Sequence, residues 1–251
     1  MSPRDSKIAE ALPAASILLI RDSIDGLEVL MMERAKTMRF APGAFVFPGG
    51  KVDADDCDHA QWLELSNTAE VCDDLHYRVA VLRELYEETS VLLLESSVGS
   101  VDVGRSFQEC LAATGSRLDT ESLVRFAHWV TPETMPRRFD THFYLAAHNG
   151  LDAIHDGDEA VSLRWVTPKK LLNEWDADLV PLMFPTRLNL LKLARASTVD
   201  EAMEQARKAR VVRTMPVVGH TAEGVSVSID ATSGYGATTA TEKELRVERP
   251  K

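Results

Sequence analysis

Residues 83–88 read RELYEE and crowd three carboxylates, Glu84, Glu87 and Glu88, into little more than one helical turn. Just upstream, Leu75, Val79, Leu82, Leu85 and Tyr86 recur at helical spacing. A helix over residues 75–88 is therefore expected, with those five side chains toward the core. Ala80, Glu84, Glu87 and Glu88 are expected on the opposite side. Positions three and four apart share a helix face, so the carboxylates point the same way and repel. A hard divalent cation between them relieves that repulsion, most often Mg²⁺ where phosphate chemistry follows. The stretch points to a metal-dependent enzyme.

The rest of the chain bounds the substrate. With 251 residues and 45% hydrophobic content, it has enough apolar material for a real core. A net charge of −11 disfavours a general nucleic-acid or anionic-membrane binder. A phosphorylated small molecule stays open, because a metal or a local basic loop can reverse the field at one site. No apolar run approaches a membrane span, and the first residues lack an apolar signal core. Cys57, Cys72 and Cys110 are three in number with no metal-like spacing, as expected for free thiols in a reducing cytosol. The expected location is cytoplasmic. The seven histidines show no ligand spacing along the chain, and His128, His142 and His148 read as strand or surface residues.

Along the chain, residues 14–21 and 27–34 read as strands joined by a hairpin at Asp25-Gly26. Residues 40–50 form a loop rich in glycine and proline. A short helix is expected within 61–71 and another within 119–124. Strands are expected at 127–130, 138–147 and 158–166, the last running into a helix at Thr167-Pro168. Two further helices follow near 187–196 and 199–210, then a strand at 224–229. From residue 234 the tail is expected to be poorly ordered.

Two motifs carry a family resemblance. Gly50, then Asp56 six residues on, then Arg83-Glu84-Leu85, Glu87-Glu88 and Val91 resemble the Nudix box. That signature is interrupted here by roughly twenty residues between its loop and its helix. Asp56 stands where the family has its first Glu, although Asp74 fits the part equally well. Ser90 stands where the family has its second Gly, a position that tolerates left-handed geometry. Upstream, residues 30–35 (LMMERA), Arg39, Gly43 and Phe47-Pro48-Gly49-Gly50 follow the spacing that marks coenzyme A diphosphatases within the Nudix family. Met31-Met32 replaces the usual Leu-Thr pair. The split box and the run from Pro136 look like the longer branch of that group, which has peroxisomal members. The chain ends without a peroxisomal tripeptide.

The resemblance implies an α/β class fold, a Nudix-type α/β/α sandwich with a mixed sheet. One domain over 8–233 is expected, with the insertion at about 53–74 and a helical extension at about 181–212. The implied activity is Mg²⁺- or Mn²⁺-dependent hydrolysis of the pyrophosphate in coenzyme A or acyl-coenzyme A, to 3′,5′-ADP and (acyl-)4′-phosphopantetheine. Another nucleoside diphosphate derivative, such as ADP-ribose or NADH, and a silent nucleotide-sensing domain are the alternatives. Glu84, Glu87, Glu88 and the Gly50 carbonyl are the expected metal ligands. Arg83 is the expected brace for Glu87, four residues on. Glu84 is the first candidate base and Glu159 the second. Arg34, Arg39, Gly43, Phe47 and Gly49 are the expected substrate-binding residues, Arg34 and Arg39 through bidentate contacts to phosphate. Lys36, Arg137 and Arg138 are weaker candidates. Trp62 and Leu63 of the insertion are expected near an acyl or pantetheine pocket. The implied partner is a small molecule, without nucleic acid or membrane, and the implied assembly a homodimer.

Overall fold

Strand β1 (Ala11–Ser23) is the spine on which the rest is hung. Ile17 and Leu19 point to one side of it, Leu18 and Ile20 to the other, and all four are fully buried. A strand buried on both faces needs a layer on each side, which dictates a three-layer sandwich. The computed structural model describes residues 8–37, 41–68, 72–96, 104–155, 160–222, 224–236 and 239–241.

The elements follow in chain order as β2 (Gly26–Arg34), β3 (Phe45–Val46), β4 (Gly49–Lys51), α1 (His59–Leu65), α2 (Leu75–Thr89) and α3 (Phe107–Thr114). Then come β5 (Val124–Val130), β6 (Arg138–Ala147), β7 (Ala160–Val166), α4 (Pro168–Asp176), α5 (Phe184–Leu193) and α6 (Val199–Lys208). Short strands β8 (Arg213–Thr214), β9 (Val217–Thr221), β10 (Gly224–Ser228) and β11 (Thr239–Thr241) complete the described residues. The main sheet runs β3-β2-β1-β6-β5-β8, with β4 also on β1 and β7 also on β2. It is mixed: β1 lies parallel to β6 from Ala11↔Arg138 to Ile20↔Ala147 and antiparallel to β2 and β4. One face carries α1, α2 and α3, whereas the other carries α4, α5, α6 and residues of the small β9–β11 sheet. The expected α/β/α sandwich is the observed one. No helix among the described residues is long and apolar enough to cross a membrane.

One edge of β1 is divided between two partners, and this division makes the site. Residues 20–23 pair with β2, while residues 14–16 pair with β4. Between them the Ile17 amide donates to the Pro48 carbonyl at 2.9 Å. The chain therefore leaves β2, loops out, and returns at Gly49-Gly50 directly beneath α2. Gly49 is required there: its φ is +146°, and a β-carbon would sit 2.2 Å from the Ala15 carbonyl oxygen.

Several local expectations are corrected. The helix foreseen within 119–124 is a turn into β5, because Asp119 Oδ1 accepts from the Ser122 amide and from Asn67 Nδ2. Helix α3 was not foreseen, although Ser106 and Glu109 form a reciprocal capping box at its start and Gly115 closes its end. On α2, Ala80 and Glu88 are buried at 0% and 5% exposure, so they do not share an open face with Glu87. The helix ends at Ser90 in the left-handed region, φ 58°, with its amide donating to the Tyr86 carbonyl. Ser thus takes the conformation that usually favours glycine, at a cost of roughly 1–2 kcal/mol.

The segment beyond residue 234, expected to be poorly ordered, contributes to the core at its described positions. Tyr235 and Ala240 are 5% and 1% exposed, and β11 pairs with β10. The Tyr235 hydroxyl accepts from Trp129 Nε1 at 2.8 Å and donates to Asn189 Oδ1 at 2.7 Å. A hydroxyl bridging two buried polar groups ties the segment at Tyr235 to both β5 and α5. Tyr235→Phe leaves both groups unsatisfied, so urea denaturation should show a loss of about 1–3 kcal/mol. An unchanged midpoint would mean that the bridge contributes nothing.

Candidate active site

The insertion between loop and helix delivers one residue to the centre. Asp53, Asp55 and Asp56 lie on a turn followed by α1, whose Asp58 cap accepts from the Gln61 amide. Trp62 of α1 is 1% exposed, packs on Phe107 at 5.9 Å, and donates from Nε1 to the Asp55 carbonyl at 2.8 Å. Trp62 is therefore an anchor of the insertion, not a wall of an open pocket as its sequence position suggested. It fixes the backbone next to Asp56, which is 1% exposed.

Asp56 meets Arg83 in a two-pronged pair, Nε to Oδ1 at 3.0 Å and Nη2 to Oδ2 at 2.9 Å. Nη2 also donates to the Lys51 carbonyl at 3.0 Å, and Nη1 donates to Glu84 at 3.0 Å and Glu87 at 2.8 Å. Every nitrogen of the guanidinium is occupied, so its plane is fixed and with it two of the three glutamates. Its charge is held more firmly than usual: the bond and charge of Asp56, then Glu84 and Glu87, outweigh burial. Asp74 is settled elsewhere, bonding Arg78 Nε at 3.0 Å and the Tyr144 hydroxyl at 2.9 Å. Of the two acids left open by the sequence, Asp56 is the one that reaches Arg83.

The three glutamates have different surroundings. The Glu87 side chain is 45% exposed and the Glu84 side chain 18%. Glu88 is buried and accepts from the Gly49 amide at 2.8 Å. Gly50 lies so close to Glu84 that a β-carbon would fall 2.4 Å from the carboxylate. Burial pushes Glu84 up to about 7 in the absence of a cation; Arg83 opposes this, while Glu87 and Asp53 reinforce it. Two glycines thus let one strand end and three carboxylates converge at the last turns of α2.

The other expected residues are distributed unevenly. Arg34 ends β2, tied to the loop by its amide donating to the Ala44 carbonyl and its carbonyl accepting from the Gly43 amide. Its Nε is buried and has no hydrogen-bond partner among the described residues. Gly43 has φ +70°, which the turn requires. Phe47 is 4% exposed and stands edge-on to Phe143 at 6.3 Å. It holds the loop from inside, a correction to its expected place among substrate contacts. Arg138 is buried and bonded to the carbonyls of Thr131 and Ala9, so it is a structural residue. Lys36 and Arg137 are exposed. Arg39 and Glu159 lie outside the described residues.

Comparison with known proteins identifies the family. The NUDIX domain profile matches residues 11–183. Putative nudix hydrolase 7 of Caenorhabditis elegans is 30% identical over 199 residues, covering 74% of this chain and 62% of that protein. The chain thus spans less than two thirds of that relative's length. Acyl-coenzyme A diphosphatase NUDT19 of Xenopus laevis is 22% identical over 261 residues, covering 79% of this chain and 68% of that protein. The crystal structure of a NUDIX hydrolase from Alicyclobacillus acidocaldarius matches with a TM-score of 0.67 and 28% identity, covering 81% of this chain and 100% of that one. With a family match running from β1 through the carboxylate helix to the start of α5, the chain belongs to the Nudix family.

Proposed function

We propose that this chain hydrolyses the pyrophosphate of coenzyme A or acyl-coenzyme A, releasing 3′,5′-ADP and (acyl-)4′-phosphopantetheine. The observation that carries the substrate is Arg34. A buried guanidinium nitrogen without a partner among the described residues is costly, and a phosphate oxygen is the acceptor it suits. Arg34 is joined through Gly43 and Ala44 to the same loop that ends at Gly49-Gly50 beneath the glutamates. One loop thus links a phosphate-binding group to the carboxylate centre. The similarity to NUDT19 acyl-coenzyme A diphosphatases of frog and human, at 22% and 23% identity, supports the same substrate class.

The residues fit a hard divalent cation. Glu84, Glu87 and Glu88 offer only oxygen, and the Gly50 backbone is pressed against the Glu84 carboxylate. Nudix enzymes use divalent metals; we assign Mg²⁺ or Mn²⁺ to these ligands, with the Gly50 carbonyl as a further one. Bound there, the ion would acidify a water and neutralise charge on the phosphoryl oxygens. Arg83 and Asp56 act by positioning: the pair fixes Glu84 and Glu87, and neither needs to touch substrate. Glu84 is our first choice for the base, and Glu159 the second.

Side-by-side turnover of coenzyme A, ADP-ribose and NADH with excess Mg²⁺, and with product masses identified, tests the substrate. Coenzyme A should be preferred, with 3′,5′-ADP among the products, and Arg34→Ala should lower its kcat/KM by about 10–100-fold. Preference for ADP-ribose or NADH would assign the chain to another nucleoside diphosphate derivative. Absence of product from all three would favour a sensing domain.

Asp56→Asn keeps the shape but removes the charge opposite Arg83. A fall in kcat of about 10–100-fold with little change in substrate KM is expected, as for other groups that orient metal ligands. Full activity in that variant would sink the positioning role.

The pH behaviour of the metal-free protein follows from Glu84. Its folded value of about 7 lies above the ordinary 4.5, so the folded state holds a proton that the unfolded chain releases. The contribution to stability is fully present below about 4.5 and is lost as pH rises through about 7, by at most about 3 kcal/mol. Chemical denaturation of metal-free protein between those pH values should show the decline, and Glu84→Gln should flatten it. Added Mg²⁺ should offset the loss in the unaltered protein.

A further inference from the structure

We propose that His128, Asp140 and His142 form a second cation site, suited to a transition metal of the zinc class and separate from the glutamate cluster. Along the chain these residues show no ligand spacing; the sheet assembles them. His128 of β5 and His142 of β6 are directly opposed in the antiparallel register. Asp140 stands two residues before His142 and so shares its face. His128 Nε2 is 2.5 Å from Asp140 Oδ1, and His142 Nε2 is 4.0 Å from the same oxygen. One donor atom from each residue lies within 4.8 Å of the other two. Bonds of about 2.0–2.1 Å in tetrahedral geometry place neighbouring donors roughly 3.3–3.4 Å apart. The observed separations lie on both sides of that value, so small side-chain rotations close the site.

The surroundings favour a ligand. Among the described residues, His142 Nδ1 is buried without a hydrogen-bond partner, and its Nε2 stands beyond bonding distance of Asp140. A largely buried imidazole with an unpartnered ring nitrogen is uncommon, and coordination through the ring would give it a strong polar contact. The ring is held in place by stacking: Tyr77 lies at 4.0 Å and 21° on one side, and His128 at 4.1 Å. Arg213 Nε, 3.8 Å from Asp140 Oδ2, supports the carboxylate by its other oxygen. Arg125 opposes a loosely held cation by charge. That selects an ion which bonds strongly to imidazole over Mg²⁺, which binds mainly oxygen. Tyr77 sits near the start of α2 and the glutamates near its end, roughly 10–16 Å along the axis. The site would tie β5 to β6 beside the root of that helix.

The test loads metal-free protein carrying Glu87→Gln, which weakens the glutamate cluster, with Co²⁺ and Zn²⁺. One equivalent of Co²⁺ should give the visible absorption bands of a four-coordinate site with nitrogen donors. Zn²⁺ should displace it and raise the melting temperature. In the same background, His142→Asn should lower Zn²⁺ affinity at least about 100-fold, and Arg213→Gln about 10–100-fold. X-ray absorption of the Zn²⁺-loaded Glu87→Gln protein should count two imidazoles, a readout that holds even if a histidine variant fails to fold. No Co²⁺ bands in folded protein, an absorption spectrum without imidazole, or unchanged affinity in a folded His142→Asn protein would each overturn the proposal.

Discussion

The pairing of Arg83 with Asp56 is the interaction on which the rest of the centre depends. Three carboxylates cannot be held together on a helix without a positive group among them. Arg83 supplies it, but a free guanidinium on a long side chain would not fix their positions. Asp56, buried and bonded through both oxygens, turns the flexible side chain into a rigid fork. Removing Arg83 would leave the buried Asp56 carboxylate uncompensated, which costs far more than an exposed ion pair contributes. The insertion matters for the same reason. It brings Asp56 to Arg83 from 27 positions away and anchors the approach with Trp62.

The sheet solves the complementary problem of bringing backbone up to the carboxylates. Because β1 divides one edge between β2 and β4, the loop between those strands must re-enter the sheet beneath α2. Only glycine allows that approach. At Gly49 a side chain would strike β1, and at Gly50 it would strike Glu84. The same loop ties Arg34 to the centre through backbone bonds. Packing, backbone conformation and the proposed recognition of phosphate are thus parts of one construction.

Much of this was legible in the sequence. The 3.6-residue period of residues 75–88 predicted α2, and an aspartate-glycine turn predicted the β1–β2 hairpin. The glutamates and Arg83 stand out because they are crowded into one helical stretch, and Gly49-Gly50 through the motif resemblance around them. Burial was less legible. Ala80 and Glu88 fall on the far side of a simple helical projection, yet α2 is covered by neighbours on more than one side. Phe47 and Trp62 both turn inward, since an apolar residue in a loop or an insertion gives no sign of whether it faces a ligand or the core. The order of the segment near Tyr235 depends on partners in β5 and α5, which no local pattern can announce.

By itself the sequence determined the helix that bears the carboxylates, the glycine-rich approach to it and the class of cation those oxygens suit. These are properties of neighbouring residues, governed by helical period and charge repulsion. The tertiary structure alone decided between Asp56 and Asp74, since the choice turns on which acid the insertion carries to Arg83 and which it leaves with Arg78 and Tyr144. It alone brought His128 and His142 into register across two strands, because cross-strand pairing is set by the sheet and not by spacing along the chain.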